Sequence, residues 1–220
     1  MLARRLAAEA LGTALLLATI VGSGIMGEQL AGGNAAIALL ANALATAAGL
    51  AVLILIFCPV SGAHFNPLVS IAEAGRAGLP WRDVPLYVAA QIAGAFAGTA
   101  VAHLMFGKPL FFASQHARSG WPMLWSEVVA SFGLLCVVLV VSRTRAAALP
   151  LAVGAYIGAA YWFTSSTSFA NPAVTLARAA SDTFAGIRPG EVPGFIGAQL
   201  LGAALAFVFC RWILAETRRG

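Results

Sequence analysis

Charge is scarce in this chain. Only 10% of its 220 residues are Asp, Glu, Lys or Arg, whereas soluble domains carry about a quarter. A water-soluble fold of this size has no place to hide a composition that is 60% hydrophobic, so a bilayer is the solvent to consider. Acidic residues number eight and form no cluster. This weighs against the ion site of a coupled secondary transporter, which stays as the alternative reading because such proteins also use inverted repeats and broken helices. The net charge of +5 comes from basic residues at the ends of apolar segments. They never form a stripe with aromatics, which argues against nucleic acid as a partner. Cysteine is limited to Cys58, Cys136 and Cys210, all inside apolar runs. Their odd number and lack of metal-type spacing speak against a disulfide framework or a zinc site. No nucleophile with its base, phosphate loop or cofactor motif stands out, so neither an enzyme nor a bound cofactor or metal is expected.

Long apolar runs are what the chain has instead. Six are long enough to cross a hydrocarbon core of about 30 Å: residues 4–26, 35–58, 82–106, 122–142, 147–164 and 190–214. The first begins like a signal peptide, with Arg4 and Arg5 before an apolar core, but has no clear cleavage box and reads as a retained span. Alternating the connecting segments places nine basic residues on one side: Arg4, Arg5, Arg76, Arg82, Arg143, Arg145, Arg211, Arg218 and Arg219. Lys108, Arg118, Arg178 and Arg188 fall on the other. The positive-inside rule then puts both termini in the cytoplasm of a multi-pass protein of the inner (plasma) membrane. Trp81, Trp121, Trp125 and Trp212, near span ends, read as interfacial belts in contact with membrane lipid.

Two apolar segments are too short to span. "SGAHFNPLVSIAEAG" (61–75) and "SSTSFANPAVTLARAA" (165–180) each have a polar lead, an Asn-Pro pair and two or three turns of small and apolar residues. Asn is a good helix cap, and proline is well placed at a first helical position, where its missing N–H is not needed. Each segment is therefore read as a half-helix starting at Asn66 or Asn171. Irregular backbone at membrane depth is tolerated where it is buried in protein or lines a cavity. An internal aqueous path follows. The chain also repeats: Glu9, Asn66 and Gln91 correspond in order to Glu127, Asn171 and Gln199. Each copy holds three spans, so the second is inverted and the Asn ends meet near the midplane. The small-residue runs at 94–100 and 197–206 permit close helix crossing. The predicted fold is all-α and integral to the membrane: six transmembrane helices plus two re-entrant half-helices in an inverted three-helix repeat. It forms a single channel domain over 1–220, with repeat one at 1–107 and repeat two at 120–220.

These paired Asn-Pro boxes, the "SGAHFNP" lead and the matched Glu and Gln positions resemble the aquaporin and aquaglyceroporin family of water and small-solute channels. The resemblance covers nearly the whole chain and implies a passive pore in each chain of a homotetramer. Physics and resemblance together give Asn66 and Asn171 the same work: their amides donate to a passing water or alcohol. The half-helix N-termini place about half a positive charge each at the same point and repel cations. Pro67, Leu68, Pro172 and Ala173 complete the two boxes. Leu68 stands where the family usually has Ala; it is either repacked or alters the waist of the pore. In the family an arginine one turn past the second Asn forms the outer filter; here that position is Val174. The family's spacing places the other filter members at Thr46, Ala159 and Ser168. Such a ring is wide and uncharged, suited to small neutral solutes: glycerol-like polyols, metalloid hydroxides such as arsenous acid, and water. Val in place of that arginine also resembles bacterial aquaglyceroporins associated with arsenic resistance.

The remaining polar residues receive quieter roles. Glu9 and Glu127 are read as braces for the half-helix loops, through backbone N–H groups, rather than as a proton relay. His64 faces the cytoplasmic half of the pore, either as a pH gate or as a neutral support of the loop. His103 and His116 are read as packing or surface residues. Arg178 lies two turns past Asn171, about 10 Å along a helix, and is read as an anchor at the mouth. Loop 107–121 is a candidate cap over the outer mouth.

Overall fold

A computed structural model describes residues 1–216, so Arg218 and Arg219 lie outside the described residues. Eight α-helices follow in order: α1 (Leu2–Leu30), α2 (Ala35–Ser61), α3 (Pro67–Gly75), α4 (Val84–Met105), α5 (Trp121–Thr144), α6 (Leu149–Phe163), α7 (Pro172–Arg178) and α8 (Val192–Glu216). Single 3-10 turns precede α4, α6 and α8. Six of these segments are long and apolar enough to cross a membrane. The other two, α3 and α7, are the half-helices, and each begins at the proline after its Asn. The observed spans run a few residues past several of the sequence boundaries. The first reaches Leu30 and the second runs through Pro59 to Ser61, where Gly62 closes it in a left-handed cap.

The long helices turn apolar side chains outward, as lipid requires, and keep a few polar ones among the buried core. Leu44, Val52, Leu55, Leu151 and Val208 are exposed on the long helices, whereas Glu9, Gln91, Glu127 and Gln199 are wholly buried. Trp81, Trp121, Trp125 and Trp212 are more than half exposed, at span ends where amphipathic rings suit the interface. The α1 helix packs on α2 and α4, and α5 packs on α6 and α8 in the same way, while α2 meets α6 across the middle. Close approach at these crossings comes from absent side chains. A Cβ on Gly98 would overlap the Ala14 carbonyl, and one on Gly202 the Val128 carbonyl. Both glycines lie in the small-residue runs, and each joins the first and third spans of its own repeat.

The half-helices α3 and α7 contact each other at their N-terminal ends. Leu68 is buried, but against α8 near Ala203 and Phe207, away from the central cavity. Of the two readings of this residue, the structure supports repacking.

Candidate functional site

The leads to the two Asn-Pro pairs share a backbone conformation that their sequences do not advertise. Four, three and one residues before each Asn, the chain takes positive φ: Gly62, Ala63 and Phe65 in one lead, Thr167, Ser168 and Ala170 in the other. Five of these six carry a side chain, and left-handed backbone there costs about 1–2 kcal/mol per residue. Such strain persists where the surroundings over-determine it. Here the buried carboxylates do so. Glu9 accepts from the backbone N–H of His64 (3.0 Å) and Phe65 (2.7 Å). Glu127 accepts from Phe169 and Ala170, both at 2.9 Å. Gln91 and Gln199 donate to the same carboxylates, at 2.8 and 2.6 Å.

The same two glutamines reach the half-helices, through Ser70 and Thr175, both at 2.9 Å. These hydroxyls stand four residues past each Asn and belong to the repeat. Sequence reasoning missed them, although their equal spacing was there to see. His64 joins this cluster: its Nδ1 lies 3.0 Å from Ser70 Oγ and its ring is tilted on Tyr87.

Asn66 and Asn171 act as caps and as a clasp. The Oδ1 of Asn66 accepts from Leu68 N, and that of Asn171 from Ala173 N and Val174 N. Each amide nitrogen crosses the junction: Asn66 Nδ2 donates to Ala170 O and Asn171 Nδ2 to Phe65 O, both at 2.8 Å. One amide hydrogen of each pair therefore ties the half-helices together. The second remains for the cavity that both residues line.

That cavity, about 80 Å³, runs from Gly62 and His64 on one side, past both Asn residues, to Val174 and Arg178 on the other. Its walls are mostly aliphatic, from Leu16, Ile20, Leu50, Ile54, Leu134 and Val138 among others. Three of the four residues assigned to the outer ring, Thr46, Ser168 and Val174, line it.

Ala159 does not. It is exposed on the outer face of α6, while Ile157 and Tyr161 face the cavity. At about 100° per residue, Ala159 points almost opposite to the midpoint between those two. Tyr161, two residues on, lines the cavity instead, and its hydroxyl donates to Thr46 Oγ1 at 3.3 Å.

Arg178 is also corrected. It is no mouth anchor but is 1% exposed, and it lines the cavity. Its Nε donates to Ala185 O, and its guanidinium lies 3.4 Å from the Phe169 ring centre. The side chain folds back toward the helix N-terminus, as helical geometry favours.

On the face opposite the N-terminus, the segment between α4 and α5 is pinned to the α7–α8 connection by a short bridge, Phe112 with Ser181. His103, read as a packing or surface residue, is a buried clamp there, bonded to Leu110 O and Ser181 Oγ. Arg118 enters between the loops and donates to Gly186 O, Ser166 O, Thr167 Oγ1 and Phe184 O. Burial brings its pKa down to about 10, so it keeps its charge at neutral pH.

A multi-pass bundle with two half-helices clasped around an axial cavity defines a membrane channel. The sequence profile of the major intrinsic protein family matches residues 1–169, and the chain belongs to that family of aquaporins and aquaglyceroporins. It is 55% identical over 218 residues to the aquaglyceroporin AqpS of Rhizobium meliloti (strain 1021), covering 99% of this chain and 93% of that one. It is 34% identical over 198 residues to aquaporin NIP2-3 of Zea mays, across 84% of this chain and 63% of that protein. The fold also matches the X-ray structure of the aquaglyceroporin from Plasmodium falciparum, with a TM-score of 0.72 at 21% identity, over 96% and 95% of the two chains. The protein is thus a passive channel for small neutral solutes and not an enzyme.

Proposed function

We propose that the chain passes glycerol-like polyols, neutral metalloid hydroxides such as arsenous acid, and water through one pore per chain. The pore is a single domain over 1–220, with repeats at 1–107 and 120–220, in a homotetramer of the plasma membrane with both termini cytoplasmic. The observation that carries the solute reading is Val174, which in the turn after Asn171 sets an apolar wall against the lumen. Thr46, Tyr161 and Ser168 supply hydroxyls around it, a mixture suited to a small body with several OH groups. Asn66 and Asn171 each offer one amide hydrogen to the solute at the clasp, and Glu9 and Glu127 hold the leads that present them. His64 lines the cytoplasmic half as a support of its loop, through Ser70.

The test is stopped-flow light scattering on proteoliposomes, with water, glycerol and arsenous acid, for the native chain and Val174→Arg. The native chain is expected to pass all three, and Val174→Arg to lose the larger two while retaining water. Native vesicles no more permeable than empty ones would overturn the reading.

A further inference from the structure

We infer that Arg178 is the charge of the outer constriction, supplied from one turn farther out than the Val174 position. This inference rests on the channel reading. An arginine seven residues past Asn171 has its Cα about 10 Å along the helix axis, yet its side chain folds back. The guanidinium lies over the Phe169 ring, two residues before Asn171, and Arg178 lines the same cavity as the neighbouring Ser168.

Its environment is unusual for packing alone. Arg178 is almost fully buried and has no ion pair with a carboxylate among the described residues. Nε is engaged by Ala185 O, whereas Nη1 and Nη2 have no hydrogen-bond acceptor among those residues. Burying a guanidinium with idle donors is costly. The cost falls if those donors face the lumen that Arg178 lines.

A second group at the same place points to a ligand. Ser168 Oγ is buried, lines the same cavity and has no partner. A cationic donor and an unpartnered hydroxyl in the lining of one cavity fit a small neutral solute with neighbouring OH groups. One solute oxygen accepts from the guanidinium, and another OH group donates to Ser168.

Two other charged groups face this region. Arg118 stands over the same Phe169 ring at 5.0 Å, with its guanidinium nitrogens bonded to backbone and Thr167 oxygens. Glu127 is engaged by the Phe169 and Ala170 N–H groups and by Gln199. Arg178 is thus the cation with donors left for solute, and its charge excludes cations of solute size. A unit charge about 5 Å from the path, at an effective dielectric of about 20, disfavours a passing cation by roughly a hundredfold. With Arg118 still in place, removing Arg178 is expected to raise cation passage by at least about tenfold.

The experiment compares glycerol and methylammonium flux in proteoliposomes of native chain, Arg178→Gln, Arg178→Lys and the Val174→Arg, Arg178→Gln double variant. Native glycerol flux tests the channel reading by itself, before any variant is compared. The inference expects Arg178→Gln to lower glycerol flux severalfold and gain methylammonium flux, Arg178→Lys to stay closed to methylammonium, and the double variant to close to methylammonium again. Arg178→Gln that conducts glycerol and stays closed to methylammonium overturns it. If Arg178→Gln loses all flux, Arg178→Lys decides. Glycerol flux without cation leak in the Lys form supports a charge requirement, and loss of flux there too shows a packing role and overturns the inference.

Discussion

Replacing Glu127 with Gln changes one atom and should loosen one loop. Glu127 Oε1 accepts from Phe169 N, and Oε2 from Ala170 N and Gln199 Nε2. A Gln at this position has one oxygen and one NH2 group, so in either orientation one backbone N–H faces another donor. Gln199 can adapt, because its Oε1 is unpartnered and its amide can turn to accept. The backbone cannot turn, since Ala170 is already held at positive φ. The loss is one charge-assisted hydrogen bond with its donor left buried, about 3 kcal/mol. By the same constant, amide exchange at Phe169 or Ala170 should quicken by roughly a hundredfold. Hydrogen–deuterium exchange of the purified protein in detergent reads this directly, and Glu9→Gln should do the same at His64 or Phe65. Unchanged protection at both amides, in a protein that still melts cooperatively, would refute the claim that the carboxylates hold the strained leads.

Ala159→Phe is expected to leave glycerol flux within about twofold of native, whereas Ile157→Phe should reduce it at least about tenfold by narrowing the lumen. The opposite ranking in stopped-flow traces would return Ala159 to the pore wall. Gly98→Leu should cost more than about 3 kcal/mol, because the new side chain meets the Ala14 backbone rather than a movable group. A native-like thermal midpoint in detergent would show that α1 and α4 separate more easily than their packing implies.

The sequence by itself determined the architecture. Six apolar runs, two Asn-Pro pairs and the repeated Glu, Asn and Gln positions are local or order-based signals, and a bilayer permits few ways to satisfy them. They were enough to place Asn66 and Asn171 at one point and to name Glu9 and Glu127 as braces. What the sequence left open depends on where side chains point once helices have rotated and packed. Counting back along the chain brought Ala159 to the right level of α6, but only the packing of α6 on α2 and α5 decided that Tyr161 faces the lumen instead. Counting forward put the Cα of Arg178 at the mouth, while its guanidinium returns inward because Phe169 and the Ala185 carbonyl receive it there. The positive-φ leads were invisible for a similar reason. Ala63, Phe65, Thr167, Ser168 and Ala170 have no intrinsic preference for that conformation; carboxylates distant in sequence hold Phe65 and Ala170, and the Ser61 and Ser166 hydroxyls hold Ala63 and Ser168.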